Sequence, residues 1–262
     1  PSGIADYYLE VRSTEASPVF LFANWLGSAP NHKTVSGGVD GRTYVARLYA
    51  RDAAGNTGPW SLLSDGVTVD MTPPGVVLSS TAPNPTNMSV PVTVAFTESV
   101  TGFDSSDLVL GHSSLVSGSF GGSGSSYWFT VQPEWQGAVT VSIPANAATD
   151  GAGNPSTAAE PLSRTYDTVG PSVPEITSPL PELSPGTVVC AWDASIDPVG
   201  SDFEPGAGIK GYDVRVGSTL GGNDMYWAAS STSRSHTVSG LQHGRTYHLQ
   251  VLARDNLDNV SG

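Results

Sequence analysis

Carboxylates placed in short turn-forming runs are the residues of this 262-residue chain best equipped for chemistry. Asp150-Gly-Ala-Gly-Asn154 has counterparts in Asp52-Ala-Ala-Gly-Asn56 and Asp255-Asn-Leu-Asp-Asn259, each an Asp followed by an Asn at the fourth position after it. Acid and amide oxygens on flexible loops suit Ca²⁺, which takes about six to eight oxygen ligands. The same residue types make tight turns unaided, because Asp and Asn bond their own backbone and tolerate the left-handed region. Both readings stand on the sequence.

Other chemistry finds little support. No Gly-x-Ser-x-Gly elbow and no phosphate-cradling Gly-x-x-x-x-Gly-Lys occurs. His32, His112, His236, His243 and His248 show no metal spacing. Asp104 and Asp107 could imitate a glycosidase pair, yet turn capping is the commoner use of such acids. Cys190 lies in the apolar run Thr187-Val-Val-Cys-Ala-Trp192 with no base adjacent in sequence, so it reads as a core thiol. The chain is expected not to be an enzyme and to have no catalytic residues.

Charge narrows the partners. A net charge of −13, with Lys33 and Lys210 the only lysines, excludes a nucleic-acid face, since phosphate binding needs clustered cations. It also argues against an anionic membrane surface, and no run of about 18 apolar residues is present to span one. Glycine and proline are abundant and only 13% of residues are charged, which fits short strands between turns rather than helices or a disordered polyelectrolyte.

The elements that must position the acids come in repeats. Residues 34–56 return as 237–259 with 12 of 23 positions identical at an offset of 203, and Gly3-Ile4-Ala5-Asp6-Tyr7 is matched by Gly208-Ile209-Lys210-Gly211-Tyr212. A long period marks an array of like units. Val69-Asp-Met-Thr-Pro-Pro-Gly75 and Tyr166-Asp-Thr-Val-Gly-Pro-Ser172 each end a strand pattern at an Asp and then supply proline, which reads as a short stiff linker. Val92, Val94 and Phe96 alternate onto one face, as one sheet of a two-sheet core requires. Ser119-Phe-Gly-Gly-Ser-Gly-Ser-Ser126 reads as a hairpin loop. Arg51-Asp52 and Arg254-Asp255 offer adjacent ion pairs.

Residues 171–262 resemble a fibronectin type III module through Trp192, Gly208-Ile-Lys-Gly-Tyr212 and Leu241…Gly244-Arg-Thr-Tyr247, the last placed as a tyrosine corner. Residues 1–71 repeat that pattern from its third strand onward, with Tyr7, Tyr44 and a last strand at Asp65-Gly-Val-Thr-Val-Asp70. Residues 72–170 resemble the bacterial Ig-like repeats of large surface proteins in Val92-Thr-Val-Ala-Phe-Thr-Glu-Ser-Val-Thr-Gly-Phe103, Ser126-Tyr-Trp-Phe-Thr-Val-Gln-Pro133 and Ala138-Val-Thr-Val-Ser-Ile143. The expected fold class is all-β: three tandem Ig/fibronectin III-like β-sandwiches, the first lacking its first strands and the last lacking its last strand. The ends read as a window on a polymer with a period near 204 residues, the difference between matched positions.

In such sandwiches the loops after the second and sixth strands lie where the preceding module enters. The resemblance therefore brings Asp70, Glu98, Asp104, Asp150 and Asn154 to the first junction, and Asp167, Asp197, Asp202, Glu204 and Asp255 to the second. Ca²⁺ is the one cofactor expected, against the rival reading of these acids as turn and solubility residues.

The function this implies is a spacer segment of a long repetitive extracellular bacterial protein: a surface stalk, adhesin shaft or filament protomer. Its partners would be neighbouring modules of the same chain and other copies in a filament. The alternatives are an accessory or carbohydrate-binding region of a secreted polysaccharide-active enzyme, and a virion fibre. Trp25, Trp60, Trp128, Trp135 and Trp227 bear on the sugar alternative, with core or edge packing the default for most of them and Trp135 the best exposed candidate. No Arg-Gly-Asp tripeptide occurs.

Overall fold

The computed structural model describes residues 3–27, 32–177, 186–198 and 206–262. Sixteen strands and one 3₁₀ turn make up its regular structure, and no α-helix occurs among the described residues. The absence follows from the sequence, whose β-branched and aromatic runs are short, alternate in polarity and end at glycine, proline or Asx turns.

Strands β1 (Ile4–Ser13), β2 (Phe20–Trp25), β3 (Thr43–Asp52) and β4 (Val67–Thr68) form one antiparallel sheet in the order β2-β1-β3-β4. Register places Tyr8 opposite both Trp25 and Tyr49, so these rings share a face. Trp60 completes the aromatic group, 4.5 Å from Tyr49 between ring centroids. Arg47 and Arg51 lie over Trp60 and Trp25 at 4.2 and 4.0 Å, contacts in which the ring faces attract the guanidinium. Residues 58–64 run beside β3 in an unusual way: Ser61 and Ser64 each donate a backbone N–H to β3, at Leu48 O and Ala46 O. Their hydroxyls accept from the N–H of the same two residues, at 3.0 and 2.9 Å.

The middle unit is a two-layer sandwich. Strands β5 (Val76–Ser79), β6 (Val90–Val100), β8 (Ser113–Leu115) and β9 (Gly121–Pro133) form a sheet ordered β5-β6-β9-β8. Strands β7 (Val109–Gly111), β10 (Gly137–Ser142) and β11 (Leu162–Tyr166) form the other, ordered β11-β10-β7. Burial alternates along β6 and β10, so Val90, Val92, Val94 and Phe96 meet Val139, Val141 and Ile143 across Phe129 and Val131. Each such side chain contributes about 1.5–3 kcal/mol. Residues 121–126 are assigned to β9 yet double back as a hairpin does, Gly122 lying against Ser126 and Tyr127, while Ser126 also pairs with Ala95 and Gly124 with Val100 of β6.

The third unit has β12 (Thr187–Ala191) paired with β15 (Ser235–Ser239), and β14 (Tyr226–Ser231), β13 (Ile209–Gly217) and β16 (His248–Asp255) in the order β14-β13-β16. Trp192, Tyr212, Val214, Val251 and Ala253 fill one cluster, with Cys190, Val216 and Val238 in a second. Burial in that cluster pushes the Cys190 thiol above its ordinary value. The tyrosine corners form at both repeats: the Tyr44 and Tyr247 hydroxyls accept from Val39 N and Gln242 N at 3.2 and 3.1 Å.

No salt bridge joins Arg254 to the adjacent Asp255 among the described residues. Arg51 bonds Asp6 at 3.4 Å and Arg254 bonds Asp213 at 2.7 Å. Neighbours on a strand point to opposite faces, so the arginine reaches across to the next strand instead.

Candidate metal centres at the two junctions

The turns that begin at Asp52, Asp150 and Asp255 are the same. Asp150 Oδ1 accepts from Ala152 N and Asn154 N, each at 2.8 Å, while Asn154 Nδ2 donates to Asp150 Oδ2 at 2.8 Å. Asp255 does the same with Leu257 N and Asn259 N at 2.8 Å, and with Asn259 Nδ2 at 2.7 Å. Asp52 repeats it with Ala54, Asn56 and the Asn56 amide. The turn thus fixes one carboxylate and one amide at a defined point of the loop.

At the two junctions that amide also reaches the incoming linker. Asn154 Nδ2 donates to Asp70 O at 3.1 Å, and Asn259 Nδ2 to Asp167 O at 3.4 Å. The linker carboxylate is thereby brought to the loop carboxylate, and a third acid joins from the same module. Ligand-capable oxygens of Asp70, Glu98 and Asp150 lie within 4.8 Å of one another, as do those of Asp167, Asp197 and Asp255. These are the two such trios among the described residues. No Lys or Arg forms a salt bridge with any of the six among those residues.

Electrostatics at the first trio reflects this crowding. Desolvation, then the charges of Asp70 and Asp150, push the Glu98 carboxyl above its ordinary value. Burial works in the same direction on Asp150, but the hydrogen bonds from Asn154, Ala152 and Gly153 outweigh it and hold that group low. At the second trio Asp167 and Asp255 are completely buried. Asp167 Oδ2 accepts from Ala207 N at 2.7 Å and Asp197 Oδ2 from Gly208 N at 2.6 Å. Desolvation, with added repulsion from Asp167 and Asp255, raises Asp197 to about 6.

The donor set fits a hard divalent cation. All donors are oxygens, and Asp197 Oδ1 is buried without a hydrogen-bond partner. Gly206 passes so close that a Cβ there would lie 2.6 Å from Asp197 Oδ2 and 3.0 Å from Asp167 Oδ2. The backbone cradles the acids at a distance that only glycine permits.

Of the residues expected as ligands, Asp70, Glu98 and Asp150 converge, as do Asp167, Asp197 and Asp255. Glu98 sits on β6 rather than in the following loop. Asn154 acts as the donor that links turn and linker. Asp104 stays outside the group: it caps the 3₁₀ turn Ser105–Asp107, accepting from Ser106 N and Oγ at 2.7 and 2.6 Å. Asp202 and Glu204 lie outside the described residues.

Sequence reasoning missed the residues that hold each linker from the preceding module. Asp40 accepts from Met71 N and Thr72 Oγ1 at 2.7 and 2.8 Å; the bond from Met71 and then that from Thr72 hold its carboxyl below the ordinary value. Gln136 accepts from Thr168 N at 3.1 Å and donates back to Thr168 Oγ1. Both stand immediately before a glycine at positive φ, Gly41 and Gly137, where the chain turns into the next strand. That shared position was the signal available in sequence.

Comparison with known proteins follows this layout. Residues 70–166 match the family model described as "Bacterial Ig-like domain". The chain is 38% identical over 120 residues to Exoglucanase B of Cellulomonas fimi, covering 44% of this chain and 10% of that enzyme. Chitinase A1 of Niallia circulans is 34% identical over 95 residues, 36% of this chain and 11% of the enzyme. The chain thus spans about a tenth of the length of these relatives. Among solved structures, titin domains A168–A170 align at 14% identity with a TM-score of 0.36, over 83% of this chain and 70% of that one. The FN1–FN3 domains of chicken CNTN1 align at 12% identity with a TM-score of 0.30, over 99% of this chain and 87% of theirs. Residues 70–166, the middle of the three antiparallel units, thus match the bacterial Ig-like domain.

Proposed function

We propose that this segment is a non-catalytic spacer of an extracellular bacterial protein, its two junctions each clamped by a Ca²⁺ ion. The observation that carries the reading is the duplicated trio: linker acid, module acid and turn acid within 4.8 Å at both module entries. Without a cation, three converging carboxylates repel one another, and Glu98 and Asp197 are pushed above their ordinary values. Ca²⁺ neutralises them, draws on up to six carboxylate oxygens, and ties the linker to the module that follows. Asp70, Glu98 and Asp150 would hold one ion, and Asp167, Asp197 and Asp255 the other. Stability is then local to each module with an added junction contribution.

Thermal unfolding in EDTA and in about 2 mM Ca²⁺ tests this directly. The reading expects a rise in midpoint with Ca²⁺ that Asp70→Ala combined with Asp255→Ala removes. An unchanged midpoint in the parent protein would sink the clamps.

A second reading has its own support: Exoglucanase B and Chitinase A1 carry the similar stretches, at 38% and 34% identity. On that basis the spacer is part of a secreted polysaccharide-acting enzyme, where it holds other domains apart.

A further inference from the structure

We infer that the outer face of the β5-β6-β9-β8 sheet, centred on Trp128, is a stacking site for a neutral polysaccharide of β-linked pyranose units. The inference rests on the reading of this segment as part of a polysaccharide-acting enzyme.

Charge comes first. In a chain of net charge −13, strands β5, β8 and β9 contain no charged residue at all, and β6 contains only Glu98. Glu98 belongs to the junction trio. An ionic partner finds nothing to pair with on this face, whereas a neutral ligand that stacks and accepts or donates through hydroxyls loses nothing by approaching it.

The shape is equally specific. Trp128 is 56% exposed on the face opposite the core. Register sets Ser79, Thr93 and Trp128 in one row across three strands, with Val77, Ala95 and Ser126 in the next. These short side chains leave the indole standing on a flat field of hydroxyl and methyl groups. The ring is also supported from beneath. A Cβ on Gly121 would lie 3.0 Å from Cε2, Cζ2 and Nε1 of Trp128, so the indole rests against that glycine. Gly122, at φ +119°, lets the chain double back: a Cβ there would meet Ser126 O at 2.4 Å. One ring face is propped on backbone and the other is open to solvent. A pyranose presents an apolar C–H face that stacks on such a ring, while its equatorial hydroxyls reach outward to Ser79, Thr93 and Ser126.

The other exposed tryptophans lack this platform. Arg215 lies 4.9 Å from the centroid of Trp227, and Arg47 and Arg51 cover Trp60 and Trp25. Trp135, at 66% exposure, sits in the turn after β9 rather than on the sheet.

Native affinity electrophoresis of the whole chain tests the site, with gels containing hydroxyethylcellulose or glycol chitin. The chain is expected to be retarded by at least one of them, and that arm tells a glucan from a chitin-type polymer. Trp128→Ala is expected to weaken retention about tenfold or more, and Gly121→Val, which lifts the ring, to weaken it as well. Trp135→Ala should leave it unchanged. Equal mobility with and without both polymers overturns the proposal, as does a Trp135→Ala loss matching that of Trp128→Ala. A Trp128-dependent dimer in sedimentation equilibrium, with no retention, also overturns it and assigns the face to a second copy. Calcium-dependent melting is read separately, so failure here leaves the spacer reading intact.

Discussion

The two junctions are built from the same parts and differ in how deeply the charges are sunk. At the first, Asp70 is exposed, Glu98 half-buried and only Asp150 buried; at the second, Asp167 and Asp255 are fully buried. Both use an Asx turn to set a carboxylate and an amide to catch the linker. The difference teaches that topology fixes where acids converge, while burial fixes how much their convergence costs. Exposed carboxylates share their repulsion with water, but buried ones must find a cation or a proton.

The largest separation should come from Ca²⁺ itself. A site held at about a hundred times its Kd adds about 2.7 kcal/mol to the folded state. In calorimetry, the transition of residues 171–262 is expected to shift further on adding Ca²⁺ to EDTA-treated protein than that of residues 72–170. Equal shifts would break the contrast between deep and shallow trios.

Next in size is Asp255→Ala, measured in EDTA. The change strips the acceptor from two backbone N–H groups and the Asn259 amide, and a buried donor left unmet costs about 1–3 kcal/mol. Asp70→Ala in the same conditions removes a charge that helps raise Glu98, so the midpoint should hold or rise. A clear drop for Asp70→Ala would show that the shallow trio carries no net repulsion.

Acid titration without Ca²⁺ sharpens the contrast further. Asp197 rises from 3.8 to about 6 on folding, so the folded state binds its proton more tightly than the unfolded one. This contribution to stability is present at low pH and lost as pH climbs through that window. Glu98 is raised as well and has the same sign. Asp150 is lowered and has the opposite sign: its stabilisation is lost as pH falls. Urea midpoints across this range should therefore fall more steeply with pH for residues 171–262, and Asp197→Asn should flatten the slope.

Smaller effects follow at the linkers. Asp40→Ala should lose amide-exchange protection at Met71, and Gln136→Ala at Thr168, with little change in either core. Smallest of all is Asp104→Asn. Its carboxylate serves a turn apart from the trio, so the Ca²⁺ response should stay as it was.

Much of this was legible in the sequence because the decisive contacts are local or periodic. The Asp-to-Asn turn spans four residues, the linkers announce themselves by Asp followed by proline, and alternation gave Val92, Val94 and Phe96 their common face. Asp40 and Gln136 were missed, their place before a glycine being the one cue, since each meets its linker 31 to 32 residues away through a turn of the preceding module. The Gly/Ser run at 121–126 was read correctly as a reversal of the chain, but composition gave no sign that Ser126 and Gly124 would also pair with β6. Arg254 misled because proximity along a strand is separation across its two faces.

The bridging asparagines carry a consequence for the lifetime of the protein. An asparagine ages when the next residue's backbone nitrogen attacks the side-chain carbonyl and expels ammonia, closing a succinimide that water then opens to aspartate or isoaspartate. At either junction that event would exchange the donor that holds the linker carbonyl for another negative oxygen. Asn154 is followed by Pro155, which has no backbone N–H to make that attack. Asn259 and Asn56 are followed by the branched residues Val260 and Thr57, which crowd it. The latch is built from the most perishable amide in proteins, and its neighbours slow the clock.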